Sequence, residues 1–125
     1  MLFKYGKGSR AEHELIDTLE EKGYSVVRAA GSGKYTPDLL AFRAGRAYAF
    51  ECKAWNSPRL SIDKLQFGAL QKWQENTGLT TYVAWKVPKD GWYFIFTQHF
   101  EEQGASYTLK LEKAKLLGNR FEDLF

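Results

Sequence analysis

The segment 36–53, which reads TPDLLAFRAGRAYAFECK, carries two carboxylates and an ammonium group at spacings that a hairpin brings together. Two short alternating runs flank Ala44-Gly45, and this pattern predicts a β-hairpin. A turn centred on that dipeptide places Asp38 opposite Glu51, with Cβ atoms about 5 Å apart. The two-residue period of a strand then places Lys53 on the same face as Glu51.

The predicted pairing of Asp38 with Glu51 has a chemical consequence. Neighbouring carboxylates repel each other, and in a half-buried site this repulsion raises one pKa. A divalent cation relieves the repulsion, and Mg²⁺ is typically held by one or two carboxylates together with a phosphate. With Lys53 beside them, the two acids predict metal-assisted chemistry on a phosphate. The alternative is a surface hairpin that carries ordinary solvated charges.

Length and composition describe an ordinary globular chain. With 125 residues, 44% of them hydrophobic and 26% charged, the sequence predicts a single domain over 1–125. One cysteine excludes an internal disulfide, and neither a signal peptide nor a long apolar run is present. We therefore expect an intracellular, cytoplasmic protein without a membrane partner. The aromatic content of 16% is high, which suggests an apolar surface for a partner or for self-association.

Basic residues are concentrated in the half of the chain that holds the hairpin. The net charge is only +3, so its distribution is more informative than its size. The segment 1–8 is interpreted as a mobile basic arm, and 112–125 as an acidic, weakly helical tail. The segment 31–34, Gly-Ser-Gly-Lys, is either a phosphate-contacting loop or a plain connector. The clustered cations are Lys4, Lys7, Arg10, Arg28, Lys34 and Lys53.

Both predicted helices carry a polar residue where an apolar one is expected. Ser9 is a suitable cap for a helix that runs to about Lys22, and Glu12 falls inside its apolar arc. Burying an unpaired carboxylate is costly, so Glu12 lies either at the rim or at a functional site. A second helix is predicted from a cap at Ser61 to about residue 76. Gln66 lies in the middle of its apolar arc, and Phe67 lies outside it and is expected to be exposed.

The remaining elements are strands. Segments 24–30, 79–86, 92–97 and 106–111 are predicted to be extended, in addition to the two strands of the hairpin. Together with the two helices, this order predicts an α/β fold with a central mixed five-stranded sheet flanked by helices.

Two motifs resemble a known family. Pro37-Asp38 followed after twelve residues by Glu51-Cys52-Lys53 is similar to the PD-(D/E)xK nuclease signature, and Glu12 matches the extra helical acid of that superfamily. The opening GSRAEHEL and the run from Arg28 through Ser32 resemble the archaeal Holliday junction resolvases. This resemblance covers about residues 5–100. It implies a restriction-endonuclease-like nuclease fold.

The resemblance also implies an activity. The chain is expected to resolve four-way DNA junctions during recombination and repair, by paired metal-dependent cuts that leave 5′-phosphate ends. It implies Mg²⁺ as the cofactor, for which Mn²⁺ can substitute, and a homodimer that supplies both cuts. Glu12, Asp38, Glu51 and Lys53 are the expected catalytic residues, the three acids being the metal ligands. The expected DNA contacts are Lys4, Lys7, Arg10, His13, Arg28, Ser32, Lys34 and Gln66.

Other functions remain open at this point. The Asp, Glu and Lys core is shared with restriction and repair nucleases, which act on duplex or other branched DNA. A catalytically silent DNA-binding module of the same fold is a further alternative. Arg28 has a structural alternative too, an intramolecular ion pair. The tail at 121–125, Phe-x-x-Leu-Phe, is a fragment of the motifs that dock on sliding clamps, so such a clamp is a candidate partner.

Overall fold

The computed structural model describes residues 7–29 and 36–125, with side chains from residue 10 onward. No helix in these ranges is long and apolar enough to cross a membrane. The helices are α1 (Lys7–Glu21), α2 (Lys64–Thr77), α3 (Leu111–Leu117) and α4 (Phe121–Leu124). The strands are β1 (Ser25–Arg28), β2 (Leu39–Arg43), β3 (Arg46–Ala54), β4 (Arg59–Asp63), β5 (Thr80–Val87), β6 (Gly91–Phe96), β7 (Glu101–Gln103) and β8 (Ser106–Lys110).

A five-stranded sheet in the order β1-β2-β3-β5-β6 forms the centre of the fold. Strands β3 and β5 are parallel, and the other neighbours are antiparallel, so the predicted mixed sheet is confirmed. A second, three-stranded sheet in the order β4-β8-β7 was not predicted. It pairs β4 with a strand more than forty residues away, and such pairings leave little local signal in a sequence.

The hairpin of β2 and β3 has the predicted turn and register. Ala44 and Gly45 both have positive φ, 47° and 84°, as a two-residue loop that matches the strand twist requires. Leu40 pairs with Ala49. Asp38 directly precedes β2, and its N–H donates to the carbonyl of Phe50 at 2.9 Å.

Alternation along β3 divides the core into two halves. Phe50 and Cys52 point to the face that packs against α1 and the C-terminal segment. The other face of the sheet packs against α2 and the second sheet, through residues such as Val83 and Trp85. By alternation, Glu51 and Lys53 lie on this second face.

Helix α1 begins three residues earlier than a cap at Ser9 predicts. It starts at Lys7, so Ser9 lies inside the helix instead of capping it, and the last two residues of the predicted arm are helical. The rest of that arm, residues 1–6, lies outside the described residues. The predicted apolar face is confirmed, because Leu15 and Leu19 are fully buried. Gly23 follows the helix with a φ of 92°, a conformation that glycine adopts readily at a helix end.

The start of α2 differs from the prediction. Ser61 belongs to β4, and the cap is Asp63, whose carboxylate accepts a hydrogen bond from the N–H of Gln66 at 2.9 Å. Because the helix begins later, its buried face is also different. Phe67 is fully buried, stacked on Tyr107 of β8 at 4.3 Å between ring centroids, whereas Leu65 is 71% exposed. The expectation that Phe67 is exposed is therefore wrong.

The C-terminal segment packs against the sheet. Helices α3 and α4 are separated at Gly118-Asn119, within the tail that was predicted to be weakly helical. Phe121 is buried, and the ring of Phe125 lies within 5.2 Å of Tyr48 and 5.4 Å of Phe94, measured between centroids. Much of the high aromatic content thus serves this half of the core.

Candidate active site

Asp38, which lies just before the first residue of β2, is fixed by three hydrogen bonds to its neighbours in the central sheet. Its carbonyl accepts from the N–H of Ala29 on the β1 side, and its own N–H donates to β3. Its Oδ2 accepts from the N–H of Cys52 at 2.8 Å. The Cys52 thiol points to the other face and is buried, so it takes no part in the site. The hairpin therefore holds the Asp38 carboxylate beside the residues that follow Phe50.

Glu51 is the most buried charged residue of the site. Its side chain is only 6% exposed, and its Oε2 accepts a hydrogen bond from Nε2 of Gln66 at 2.7 Å. Lys53 Nζ lies 3.7 Å from the same carboxylate oxygen and donates to Oε1 of Gln66 at 3.2 Å. The amide of Gln66 thus bridges the acid and the base of β3 from helix α2.

Burial and like charge raise the pKa of both hairpin carboxyls. Removal from water is the largest cause for Glu51, the Asp38 carboxylate adds to it, and the pKa of Glu51 is raised to about 8. Burial also raises the pKa of Asp38, against the opposing hydrogen bond from Cys52. Without a cation, burial and like charge therefore disfavour the doubly ionised form of the pair.

Glu12 of α1 approaches the pair but is engaged elsewhere. Its charge contributes to the raised pKa values of both Asp38 and Glu51, after burial, so its carboxylate lies near them. Its Oε1 accepts a hydrogen bond from Nε of Arg28 at 2.8 Å, in an ion pair whose acid side chain is 14% exposed. The ion pair that was the structural alternative for Arg28 is present.

The donor set fits a magnesium ion through two carboxylates. In residues 7–29 and 36–125, no group of three or more Asp, Glu, His or Cys side chains is arranged to hold a metal. Asp38 and Glu51 present oxygen ligands at a common place, and burial with like charge nearby raises the pKa of both carboxyls, an effect that a bound cation would oppose. One or two carboxylates with a substrate phosphate is a usual arrangement for Mg²⁺. Direct coordination by Glu12 stays a prediction.

The structure describes only some of the residues that were predicted to contact DNA. Lys4, Ser32 and Lys34 lie outside the described residues, and of Lys7 only the backbone is described. Arg10 is exposed on the first turns of α1, and His13 is half-buried on the same helix. Their contact with DNA stays a prediction.

Two positioning contacts were not predicted. Asp63 fixes the first turn of α2 and with it Gln66, and its place just before the apolar run was a usable signal for a cap. Glu14 of α1 forms an ion pair with Lys86 of β5, and the same carboxylate accepts a hydrogen bond from Nε1 of Trp92 at 3.1 Å. These contacts cross between helix and sheet, so spacing along the chain does not reveal them.

Comparison with known proteins places this chain in a family. The model of the archaeal Holliday junction resolvases (Hjc) matches residues 3–125. The crossover junction endodeoxyribonuclease Hjc of Archaeoglobus fulgidus is 32% identical over 130 residues, covering 95% of each chain. That of Sulfurisphaera tokodaii is 28% identical over 123 residues, covering 94% of this chain and 85% of the relative.

A solved structure agrees with the sequence matches. The Holliday junction resolvase Hjc of A. fulgidus superposes with a TM-score of 0.84 at 25% identity, covering 95% of both chains. The fold is thus restriction-endonuclease-like, as the resemblance implied. The chain therefore belongs to the archaeal Holliday junction resolvase family.

Proposed function

We propose that this chain is an endodeoxyribonuclease that resolves four-way DNA junctions, acting with Mg²⁺ and leaving 5′-phosphate ends. One observation carries the proposal: Asp38 and Glu51 lie together at the end of the hairpin, with Lys53 held beside them by Gln66. Membership of the family, whose curated relatives are named crossover junction endodeoxyribonucleases, supports this substrate.

Asp38 and Glu51 are the residues that hold the cation, with Mn²⁺ as a substitute for Mg²⁺. When bound, such an ion polarises a phosphoryl oxygen and lowers the pKa of a coordinated water. The fixed N–H of Cys52 orients the carboxylate of Asp38, and the amide of Gln66 orients that of Glu51. Hydrogen-bonded partners of this kind typically contribute 10- to 100-fold to metal affinity or activity.

Lys53 stabilises negative charge on the reacting phosphate. Its ammonium group is half-buried, with a side chain 20% exposed, so it remains accessible to a substrate. Its bond to Gln66 limits where Nζ can lie, and a preorganised cation is worth more than a mobile one. Arg10, His13 and Arg28, together with Lys4, Lys7, Ser32 and Lys34, supply contacts to the DNA.

A homodimer supplies the two cuts that a junction requires. One chain carries one carboxylate pair, and a two-fold axis duplicates it. The exposed apolar residues Val27 and Phe42 lie on one face of β1 and β2, because Val27 pairs with Leu40, two residues before Phe42. We assign this face to the dimer. Sedimentation should give twice the chain mass of 14.4 kDa.

A sliding clamp is not required by this account. Phe121 and Phe125 of the expected clamp motif pack into the core, so a clamp would have to draw both rings off the sheet. That rearrangement would expose apolar surface, which is unfavourable.

One assay separates this function from its alternatives. The protein is incubated with Mg²⁺ and a labelled four-way junction, a duplex or a flap, and the new ends are tested for a 5′-phosphate by phosphatase and ligase. Selective cutting of the junction with ligatable ends supports the proposal. Cutting of the duplex at a similar rate indicates a restriction- or repair-type nuclease, and binding without cutting indicates a silent module.

A further inference from the structure

The third acid of the site is held by an arginine at the edge of the sheet. Glu12 lies on α1 and Arg28 ends β1, sixteen residues later, and their side chains meet at 2.8 Å. The two partners differ in access to solvent, since the side chain of Arg28 is 35% exposed and that of Glu12 only 14%. An anion in solution can therefore reach the guanidinium more easily than a cation can reach the carboxylate.

Glu12 also interacts with the metal-binding pair. Its partner Arg28 pairs with Leu39 of β2, and the N–H of the next residue, Ala29, donates to the carbonyl of Asp38 at 2.8 Å, so the ion pair adjoins the strand end that carries Asp38. Yet the three acids do not form a ready three-ligand site within the described residues. The carboxylate of Glu12 thus lies within electrostatic reach of the pair while it is hydrogen-bonded to a cation of the protein.

Resting on the proposed nuclease function, we propose that Arg28 is a positioning residue for Glu12, and that a DNA phosphate displaces Glu12 from Arg28 and releases it towards Asp38 and Glu51. A guanidinium binds phosphate and carboxylate by the same charge-assisted hydrogen bonds, so the two anions compete for Arg28. A displaced Glu12 is too buried to be well solvated, and the cation held by Asp38 and Glu51 is then its natural partner.

The exchange couples DNA binding to metal binding. When no metal is present, the ion pair with Glu12 lowers the affinity of Arg28 for a DNA phosphate. When no DNA is present, the same ion pair lowers the affinity of Glu12 for the metal ion. Linkage requires that each ligand then favour the other by the same factor, and coupling factors of about five or more are typical of such systems. The third acid would thus join the metal site only when a phosphate is in place.

A double-mutant cycle measures the first half of this coupling. Junction binding is followed by fluorescence anisotropy in EDTA, so that no cleavage occurs. Glu12→Gln should tighten binding about fivefold or more, and the gain should vanish in the background of Arg28→Gln. A gain that persists in that background would reflect general charge repulsion and would overturn the proposal. Thermal melts confirm that each variant is folded.

The second half of the coupling, the effect of Arg28 on metal binding, is measured without DNA. Binding of Mn²⁺ is followed through the loss of the free-ion electron paramagnetic resonance signal. Arg28→Gln should raise the Mn²⁺ affinity by a similar factor, again only when Glu12 is present. Arg46→Gln, at an exposed arginine of β3, is the matched control and should leave the affinity unchanged. An equal gain in the control, or no gain from Arg28→Gln, would overturn the exchange.

Failure of the exchange can be told apart from failure of the proposed function. If the unaltered protein cuts a four-way junction with Mg²⁺ while both cycles are additive, only the exchange is wrong. If it does not cut, the proposed function itself is wrong. If the effects of the two substitutions on junction binding and on Mn²⁺ binding are then also additive, the exchange is wrong as well.

Discussion

The side-chain amide of Gln66 donates to Oε2 of Glu51 at 2.7 Å and accepts from Nζ of Lys53 at 3.2 Å. A residue of α2 thereby sets the spacing of two groups on β3. Both functions of the amide are used, and Asp63 fixes its helical turn by capping the helix. The geometry of the site thus depends on the packing of α2 against the sheet.

Gln66→Met tests the contribution of this bridge. Methionine has a similar shape but makes neither hydrogen bond, so Glu51 and Lys53 lose their common orientation. We expect the single-turnover cleavage rate at saturating junction and Mg²⁺ to fall about 10- to 100-fold, with little change in the melting temperature. Gln71→Met, at an exposed position of the same helix, is the control. An unchanged rate would show that the bridge has no catalytic consequence.

The raised pKa of Glu51 predicts a pH dependence of stability in the metal-free protein. The folded state keeps its proton up to about pH 8, whereas the unfolded chain releases it near 4.5. The stability contributed by this carboxyl is therefore fully present below about pH 4.5 and is lost as the pH rises towards 8. The raised pKa of Asp38 acts in the same direction. The loss that comes from Glu51 is on the order of a few kcal/mol.

Urea unfolding in EDTA at fixed ionic strength, between pH 5 and pH 8.5, measures this effect. The free energy of unfolding should fall as the pH rises, and Glu51→Gln should flatten the curve. Excess Mg²⁺ should restore stability at the upper end, since it binds the ionised form. A stability that rises with pH over this range, and does so equally in Glu51→Gln, would contradict the assignment.

Phe67 and Leu65 provide a paired test of the second half of the core. Phe67 is fully buried against Tyr107 and Phe100, so Phe67→Ala should cost about 3–5 kcal/mol of unfolding free energy. Leu65 is 71% exposed, and Leu65→Ala should change it by less than about 0.5 kcal/mol. Urea midpoints of the two variants decide the point, and similar costs would mean that the second sheet does not cover α2.

Local signals account for what the sequence predicted. The hairpin depends on alternation and on a Gly-containing turn within one short segment. The position of Asp38 opposite Glu51 could therefore be inferred without knowledge of the other elements of the fold. Glu12 and Gln66 were identified because each interrupts an apolar arc. In both cases the interruption has a partner in the structure, Arg28 for the first and Glu51 with Lys53 for the second.

Long-range pairing accounts for what the sequence missed. Ser61 is a good helix cap by type, but β4 pairs with β8, so the chain stays extended until Asp63. This shift of the helix start turns Phe67 inward, towards Tyr107 on the distant strand. The excess of aromatic residues was assigned to a partner surface, because the packing of Phe125 against the sheet leaves no periodic signal.

In the proposed function, the Asp38 and Glu51 pair drives paired, metal-dependent cutting of a four-way junction. The most direct measurement follows a junction labelled on each strand, with Mg²⁺ or with EDTA, using the unaltered chain, Asp38→Asn and Glu51→Gln. We expect the unaltered chain to make two opposed cuts and to release nicked duplexes in Mg²⁺ but not in EDTA. Both variants should bind the junction and leave it uncut. Near-normal Mg²⁺-dependent cleavage by either variant, or equal cleavage in EDTA, would contradict this proposal.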